Sequence, residues 1–286
     1  MKLIKPSFTI VEQGPGIEGI YKQIEMAGRT CYKSEDKITE TSAKEFVDRM
    51  IKSGHGAMLE HGTVYLKALE EYSFNGNVEL EYDGNSLEKY INNPYSKYKS
   101  DGEYAYVTTN LRVLVENGWM DDLQYISEPT EYHARRITVK FTCDRGVTHE
   151  FVRHRVFSFA QESTRYCNYS KDKFGNNVTY IIPCWTQTKE CEIDTSQPYG
   201  FTAEDEWICM LGKAERHYFQ LINKGWKAQE ARAILPTAVK AELVMTGFVD
   251  DWKHFFHLRT AAGAHPQARE LARPLQDEFV KRNYMD

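Results

Sequence analysis

The sequence has no apolar run approaching the ~18–20 residues needed to span a bilayer, so no membrane segment is expected. Its opening, Met1-Lys2-Leu3-Ile4-Lys5-Pro6, carries positive charge but no apolar stretch long enough for a secretory signal. The expected location is the cytoplasm. No C-x-x-C pair occurs among the six cysteines, Cys31, Cys143, Cys167, Cys184, Cys191 and Cys209. A chain of 286 residues needs no disulfides to fold, and reduced thiols are expected. Positive charge is in deficit: 36 Lys and Arg against 41 Asp and Glu leave −5. A general nucleic-acid binder needs the opposite balance to displace counterions. A local basic cluster in such a chain points instead to one small anionic ligand. Internal repeats, low-complexity tracts and a Pro/Gly/Ser linker are also lacking, which predicts one domain over residues 1–286.

What is present is ordinary for a globular chain: 41% hydrophobic residues and a mean hydropathy of −0.59. The 18 tyrosines suit stacking on flat ligands and suit core packing equally. Leu3 to Val11 predicts a strand, and Ile17, Ile20, Tyr21 and Ile24 recur at helical spacing. Ser42-Ala43-Lys44-Glu45 fits a capping box, opening a helix with Phe46, Val47, Met50 and Ile51 on one side and a stop near Gly54. A strand is expected from Val64, and Ile137, Val139 and Phe141 alternate with polar neighbours as in a half-buried strand. Residues 84–104 are polar and turn-rich and predict an excursion from the core. Trp207, Leu211, Ala214, Tyr218 and Leu221 form a helical stripe. The run Ala241–Met245, then Trp252, Phe255, Phe256 and Leu258, continues the helical theme. The class is α+β: a mixed or antiparallel sheet flanked by helices, with a helix-rich C-terminal third.

Chemistry concentrates in Arg153-His154-Arg155 and the segment that follows, through Gln161, Ser163, Thr164, Arg165 and Tyr166. Guanidinium groups offer paired donors to phosphate and stay charged at any physiological pH. A solvated basic face would need no explanation. Here Phe151, Val152, Val156, Phe157 and Phe159 flank the arginines, and charges emerging from an apolar segment need partners. A metal site is not expected, since the two arginines beside His154 repel a cation. Ser163 lacks the aligned base that a nucleophile needs, and His254-x-x-His257 alone is a weak metal signal.

The segment resembles the R-H-R-x7-S motif of the flavin-dependent thymidylate synthase family, with seven residues between Arg155 and Ser163. Three further regions are similar to that family. They are His55-Gly56-Ala57-Met58-Leu59-Glu60-His61 (H-x4-E-H), Ala231-Arg232-Ala233-Ile234-Leu235-Pro236 (A-R-x-x-L-P), and His254-Phe255-Phe256-His257-Leu258-Arg259 ([NH]-F-x-x-[LM]-R). The resemblance implies methylation of dUMP to dTMP, with 5,10-methylenetetrahydrofolate as carbon donor, FAD as hydride carrier and NADPH as its reductant. It implies a homotetramer whose FAD sites lie between subunits. Ala57, Arg153, His154, Arg155, Gln161 and His254 fall at cofactor-contacting positions. Glu150, Arg153, Gln161, Ser163, Thr164, Arg165, Arg232 and Arg259 fall at dUMP-contacting positions, and Arg259 takes the place of the group that activates the pyrimidine.

The sequence departs from the family at two points. Many members carry N-x-R where this chain has Phe248-Val249-Asp250, which removes a donor and a positive charge. Ala261-Ala262-Gly263-Ala264 resembles an insertion, which leaves His265 and Gln267 without assigned roles. The sequence leaves two other classes open. Pro183-Cys184 resembles the nucleophile pair of the cysteine-dependent thymidylate synthases, and the arginine–tyrosine cluster would suit single-stranded nucleic acid.

Overall fold

The structure is a computed structural model that describes residues 1–70, 87–194 and 200–286. Strands β1 (Lys2–Ile4) and β2 (Ser7–Val11) precede helices α1 (Gly16–Tyr32), α2 (Ser42–Lys52) and α3 (Gly56–Leu59). Strand β3 (Thr63–Leu69) follows, then β4 (Lys97–Ser100), β5 (Tyr104–Asn110) and α4 (Leu111–Asn117). The central part holds β6 (Arg136–Asp144), α5 (Arg145–Phe151), β7 (Ser158–Gln161), β8 (Thr179–Ile181) and β9 (Cys191–Glu192). The last third holds α6 (Ala203–Asn223), α7 (Ala228–Ala231), β10 (Lys240–Phe248), α8 (Val249–Arg259) and α9 (Pro266–Lys281). This is the α+β class with a helical C-terminal part. Among the described residues the strands form three sheets, ordered β2-β6-β10-β7, β3-β5-β4 and β8-β1-β9.

The β2-β6-β10-β7 sheet is antiparallel throughout, and β6 pairs with β10 from Asp144↔Lys240 to Arg136↔Phe248. Ile137, Val139, Phe141 and Cys143 of β6, with Leu243 and Met245 of β10, face a core closed by Trp252, Phe255 and Phe256 of α8 and by Leu271, Leu275 and Phe279 of α9. On the other face, Val244 and Ala160 pack against Ala27 of α1. Strand β10 is therefore covered on both sides. This corrects the helical reading of Ala241–Met245, because in a doubly covered strand successive residues such as Leu243, Val244 and Met245 are all apolar instead of alternating.

Three other local expectations are corrected. Leu3–Val11 is two strands in different sheets, broken at Lys5-Pro6, where proline cannot donate to a ladder. The Ser42 capping box does not form: the Ser42 hydroxyl accepts from Thr39 N and donates to Glu25 Oε2 at 2.9 Å. The 84–104 excursion contributes Leu87 and Tyr90 to the core and supplies strand β4; its residues 84–86 lie outside the described residues. Polar composition hid that role because Tyr90 is buried with its hydroxyl donated to buried Asp122 at 2.7 Å. No described helix is long and apolar enough to cross a membrane.

Trp252 is fully buried and donates its indole N–H to Ile137 O at 3.1 Å. Trp252→Ala is expected to lower stability by about 3–5 kcal/mol, read from the midpoint of equilibrium urea unfolding.

Candidate active site

Asp144 ends β6 and caps α5, its side chain accepting the Val147 amide at 2.7 Å. The short helix buries Val147, Thr148 and Phe151, and Glu150 lies in its last turn. The chain then turns tightly: His154 N donates to Phe151 O, and Phe157 N donates to His154 O, each at 3.1 Å. His154 is thereby directed inward while Arg153 and Arg155 stay exposed. The sequence-level triplet is one inward histidine between two outward guanidinium groups.

The inward ring meets the end of α8. Arg259 Nε donates to His154 Nε2 at 2.9 Å, Nη1 donates to Glu150 Oε2 at 2.6 Å, and Nη2 donates to the Glu150 carbonyl. Arg153 Nη1 stands 3.9 Å from the same carboxylate. His254 lies five residues before Arg259 on α8, its ring 6.1 Å from that of His154. Because Nε2 accepts a hydrogen bond, the ring is neutral with its proton on Nδ1. Burial, the Arg259 guanidinium and His254 together push His154 down to about 4. The hydrogen bond from Arg259 holds the Glu150 carboxyl below its usual range.

The remaining predicted residues lie on neighbouring elements. Gln161, at the end of β7, donates to Thr148 of α5 at 2.8 Å. Ser163 N donates to the Cys31 carbonyl at the end of α1, and the Ser163 carbonyl accepts from Tyr166 N and Cys167 N. Thr164 Oγ1 accepts from Arg232 Nη1 at 3.0 Å, joining two of the sequence motifs. Arg165 is exposed over the Tyr166 ring, which meets Tyr32 edge-on. Ala57 is exposed in α3. Glu150, His154, His254 and Arg259 thus form one cluster, and Thr164 with Arg232 a second that shares no hydrogen bond with the first. Gln267, left without a role from sequence, donates to Asp144 Oδ2, and His265 stands at the start of α9.

Sequence reasoning missed Glu162 and its lysines. Glu162 is buried and pairs with Lys240 at 2.8 Å, while Glu242 pairs with Lys33 at 2.7 Å and Lys140 at 2.9 Å. Burial alone would raise Glu242; the ammonium groups of Lys240, Lys33 and Lys140 outweigh it and hold the carboxyl at about 2. The network fixes the backbone immediately before Ser163. Its only trace in sequence is a glutamate beside the motif, since its partners are remote along the chain. Cys184, the other nucleophile candidate, is exposed in the loop after β8, and burial of its sulfur together with Glu270 pushes its thiol up, away from thiolate.

Residues 126–282, more than half of the chain, match the family described as thymidylate synthase complementing protein. The chain belongs to that family. Relatives named flavin-dependent thymidylate synthase include one from Pyrococcus furiosus, 32% identical over 141 residues, covering 49% of this chain and 52% of that protein. One from Corynebacterium diphtheriae is 30% identical over 253 residues, covering 87% of this chain and 70% of that protein. The chain spans about half the length of the Pyrococcus relatives it matches. A solved UMP/dUMP methylase from Streptomyces cacaoi aligns with a TM-score of 0.43 at 15% identity, covering 98% of this chain and 93% of that one. The family match contains the Arg-His-Arg turn, Arg232 and Arg259; the His55–His61 segment lies outside it.

The depressed His154 ring has a measurable consequence. An unfolded histidine protonates near 6.5 and the folded one near 4, so between those values the unfolded chain binds more protons. Stability from this group is present above pH 6.5 and is lost as pH falls through about 4. Buried His61, driven to about 3 by burial and Arg136, adds to the same acid limb. His154→Gln is expected to make that limb shallower in thermal unfolding scans from pH 7 down to pH 4. NMR titration of wild-type protein should find the His154 ring still neutral at pH 5.

Proposed function

We propose that this protein methylates dUMP to dTMP, with 5,10-methylenetetrahydrofolate as carbon donor, FAD as flavin and NADPH as its reductant. The observation that carries the reading is the anchoring of Arg259. A guanidinium has five N–H donors, and three are engaged by His154, the Glu150 carboxylate and the Glu150 carbonyl. Five less three leaves two N–H groups for a ligand, in a side chain whose position is already fixed. Attack by uracil C5 needs electron density pushed onto that carbon, which leaves negative charge around N3 and the carbonyl oxygens. A preorganised guanidinium stabilises that charge without exchanging a proton and without reorganising as the charge develops. Neutral His154 keeps its Nε2 lone pair on Arg259 through the physiological range, so the anchor is not competed away by protonation.

Exposed Arg153 and Arg155 on one turn, with exposed His254 beside them, fit a flavin diphosphate and ring edge. When bound, the flavin supplies the hydride that completes the methyl group. Ser163, Thr164, Arg165 and Arg232 are the donors for the nucleotide phosphate, with Gln161 and Glu150 beside it. The family resemblance extends this reading to a homotetramer in which neighbouring subunits complete each site. Ala57 completes the flavin contacts from α3. At the departure point, the Phe248 ring packs 5.6 Å from the Arg136 guanidinium, where the family has a polar donor.

Removing one preorganised oxyanion donor costs about 2.7–4 kcal/mol of barrier. Arg259→Ala is therefore expected to cut dTMP formation by about 10²–10³-fold while keeping the flavin absorbance of the purified protein. Arg259→Lys should recover little, because an ammonium cannot make the three directed bonds at once. Near-wild-type turnover in Arg259→Ala would remove Arg259 from the chemistry. A colourless protein with no dTMP product from these substrates would sink the whole reading.

A further inference from the structure

Helix α5 is held at both ends by the α8–α9 segment. At its start Asp144 caps the helix through Val147 N and accepts from Gln267 Nε2 of α9 at 2.5 Å. At its end Glu150 accepts from Arg259 of α8. One turn beyond Gln267 on α9 stands Glu270, whose Oε1 is buried with no hydrogen-bond partner. A buried carboxylate oxygen without a donor is costly when charged and tolerable when the group is a neutral acid. The charge it faces is of its own sign: Asp144, which accepts from Val147 N and Gln267 Nε2 as a carboxylate does, pushes the Glu270 carboxyl up.

Among the described residues no lysine or arginine forms an ion pair with Glu270, and Arg145 and His149 of α5, which packs on α9, exert no resolved effect on it. Arg269 and Arg273, on the same helix, turn to the carbonyl oxygens of Ala262 and Thr260. Cys184 from the loop after β8 is a thiol held above its ordinary range. Strand β2, which packs on α9, has no ionisable side chain. Helix α8 commits Arg259 to Glu150 and His154, and His265 at the start of α9 acts on Asp144 and Glu150.

We propose that Glu270 is a positioning residue for the Arg259 anchor: its carboxyl is neutral while α5 is held, and its ionisation beside Asp144 loosens the Gln267–Asp144 end of that helix. The inference rests on the catalytic reading only where activity is concerned. Burial and then the Asp144 charge push Glu270 up to about 7, against 4.5 for the ordinary side chain. The folded protein therefore holds an extra proton between those values. Stability from this group is fully present below about pH 4.5, falls as pH rises to about 7 and is constant above.

The test is Glu270→Gln, which keeps a neutral side chain of the same shape. Its unfolding temperature is expected to exceed that of wild type by a margin that widens from about pH 5 to about pH 7.5 and then levels. Hydrogen–deuterium exchange across α5, corrected for intrinsic pH dependence, should accelerate above pH 7 in wild type and not in the variant. The dTMP-forming kcat/KM should fall through the same step in wild type only. Asp144→Asn, which keeps a cap on α5, should move all three steps to lower pH. Identical pH dependence of wild type and Glu270→Gln in α5 exchange overturns the proposal, as does a thermal step with no change in α5 exchange. If wild type forms no dTMP, the catalytic reading fails, while α5 exchange still decides the role of Glu270.

Discussion

The nine-residue pairing of β6 with β10 sets the geometry of the candidate site in this chain. Helix α5 springs from the last residue of β6, and α8 springs from the last residue of β10. In an antiparallel pair these are opposite ends, separated by about 26 Å at ~3.3 Å per residue. Both helices pack back onto the same face of the pair, through Phe151 and through Trp252 and Phe255. Their lengths, about 10 Å and about 16 Å at 1.5 Å per residue, nearly span that separation. The two C-terminal ends therefore meet, and the residues there are Glu150, the His154 turn and Arg259. A change of two residues in either helix would separate them.

Around that meeting point the protein handles charge in two different ways. Glu35, Glu162 and Glu242 balance Lys33, Lys140 and Lys240 in a mostly sheltered network, which fixes the end of β7 without leaving net charge for a ligand. Arg259 is anchored by one carboxylate and two neutral acceptors, which leaves donors free and direction defined. Arg153, Arg155 and Arg165 are left exposed to solvent. The gradient from paired to free charge runs outward from the sheet, as expected where burial without a partner is expensive.

Much of the site was legible in sequence because its spacing is local. Arg153 to Arg165 spans one turn, one short strand and another turn, so neighbours in sequence remain neighbours in space. That Arg232 and Arg259 belong with the 150–165 segment followed from family resemblance alone, since no period or composition relates positions so far apart; their bonds to Thr164 and Glu150 came only from the structure. The elements misjudged had tertiary causes. Ala241–Met245 looked helical because both faces of β10 are covered, and residues 87–104 looked peripheral because Tyr90 carries its polar atom into the core with Asp122. Ser42 failed as a cap because Glu25, on another helix, captured its hydroxyl.

The sequence alone determined the α+β class, the apolar setting of the Arg-His-Arg turn, the helices carrying Trp252–Arg259 and Trp207–Leu221, and the family. Each follows from local periodicity or from motif spacing along the chain. Only the tertiary structure decided that His154 turns inward and stays neutral, that Glu150 and Gln267 hold the two ends of α5, and that Glu162 belongs to a buried lysine network. Those outcomes depend on desolvation and on partners more than a hundred residues apart, such as Glu150 and Arg259, and Asp144 and Gln267. A linear chain carries no record of which of its charges will be buried together.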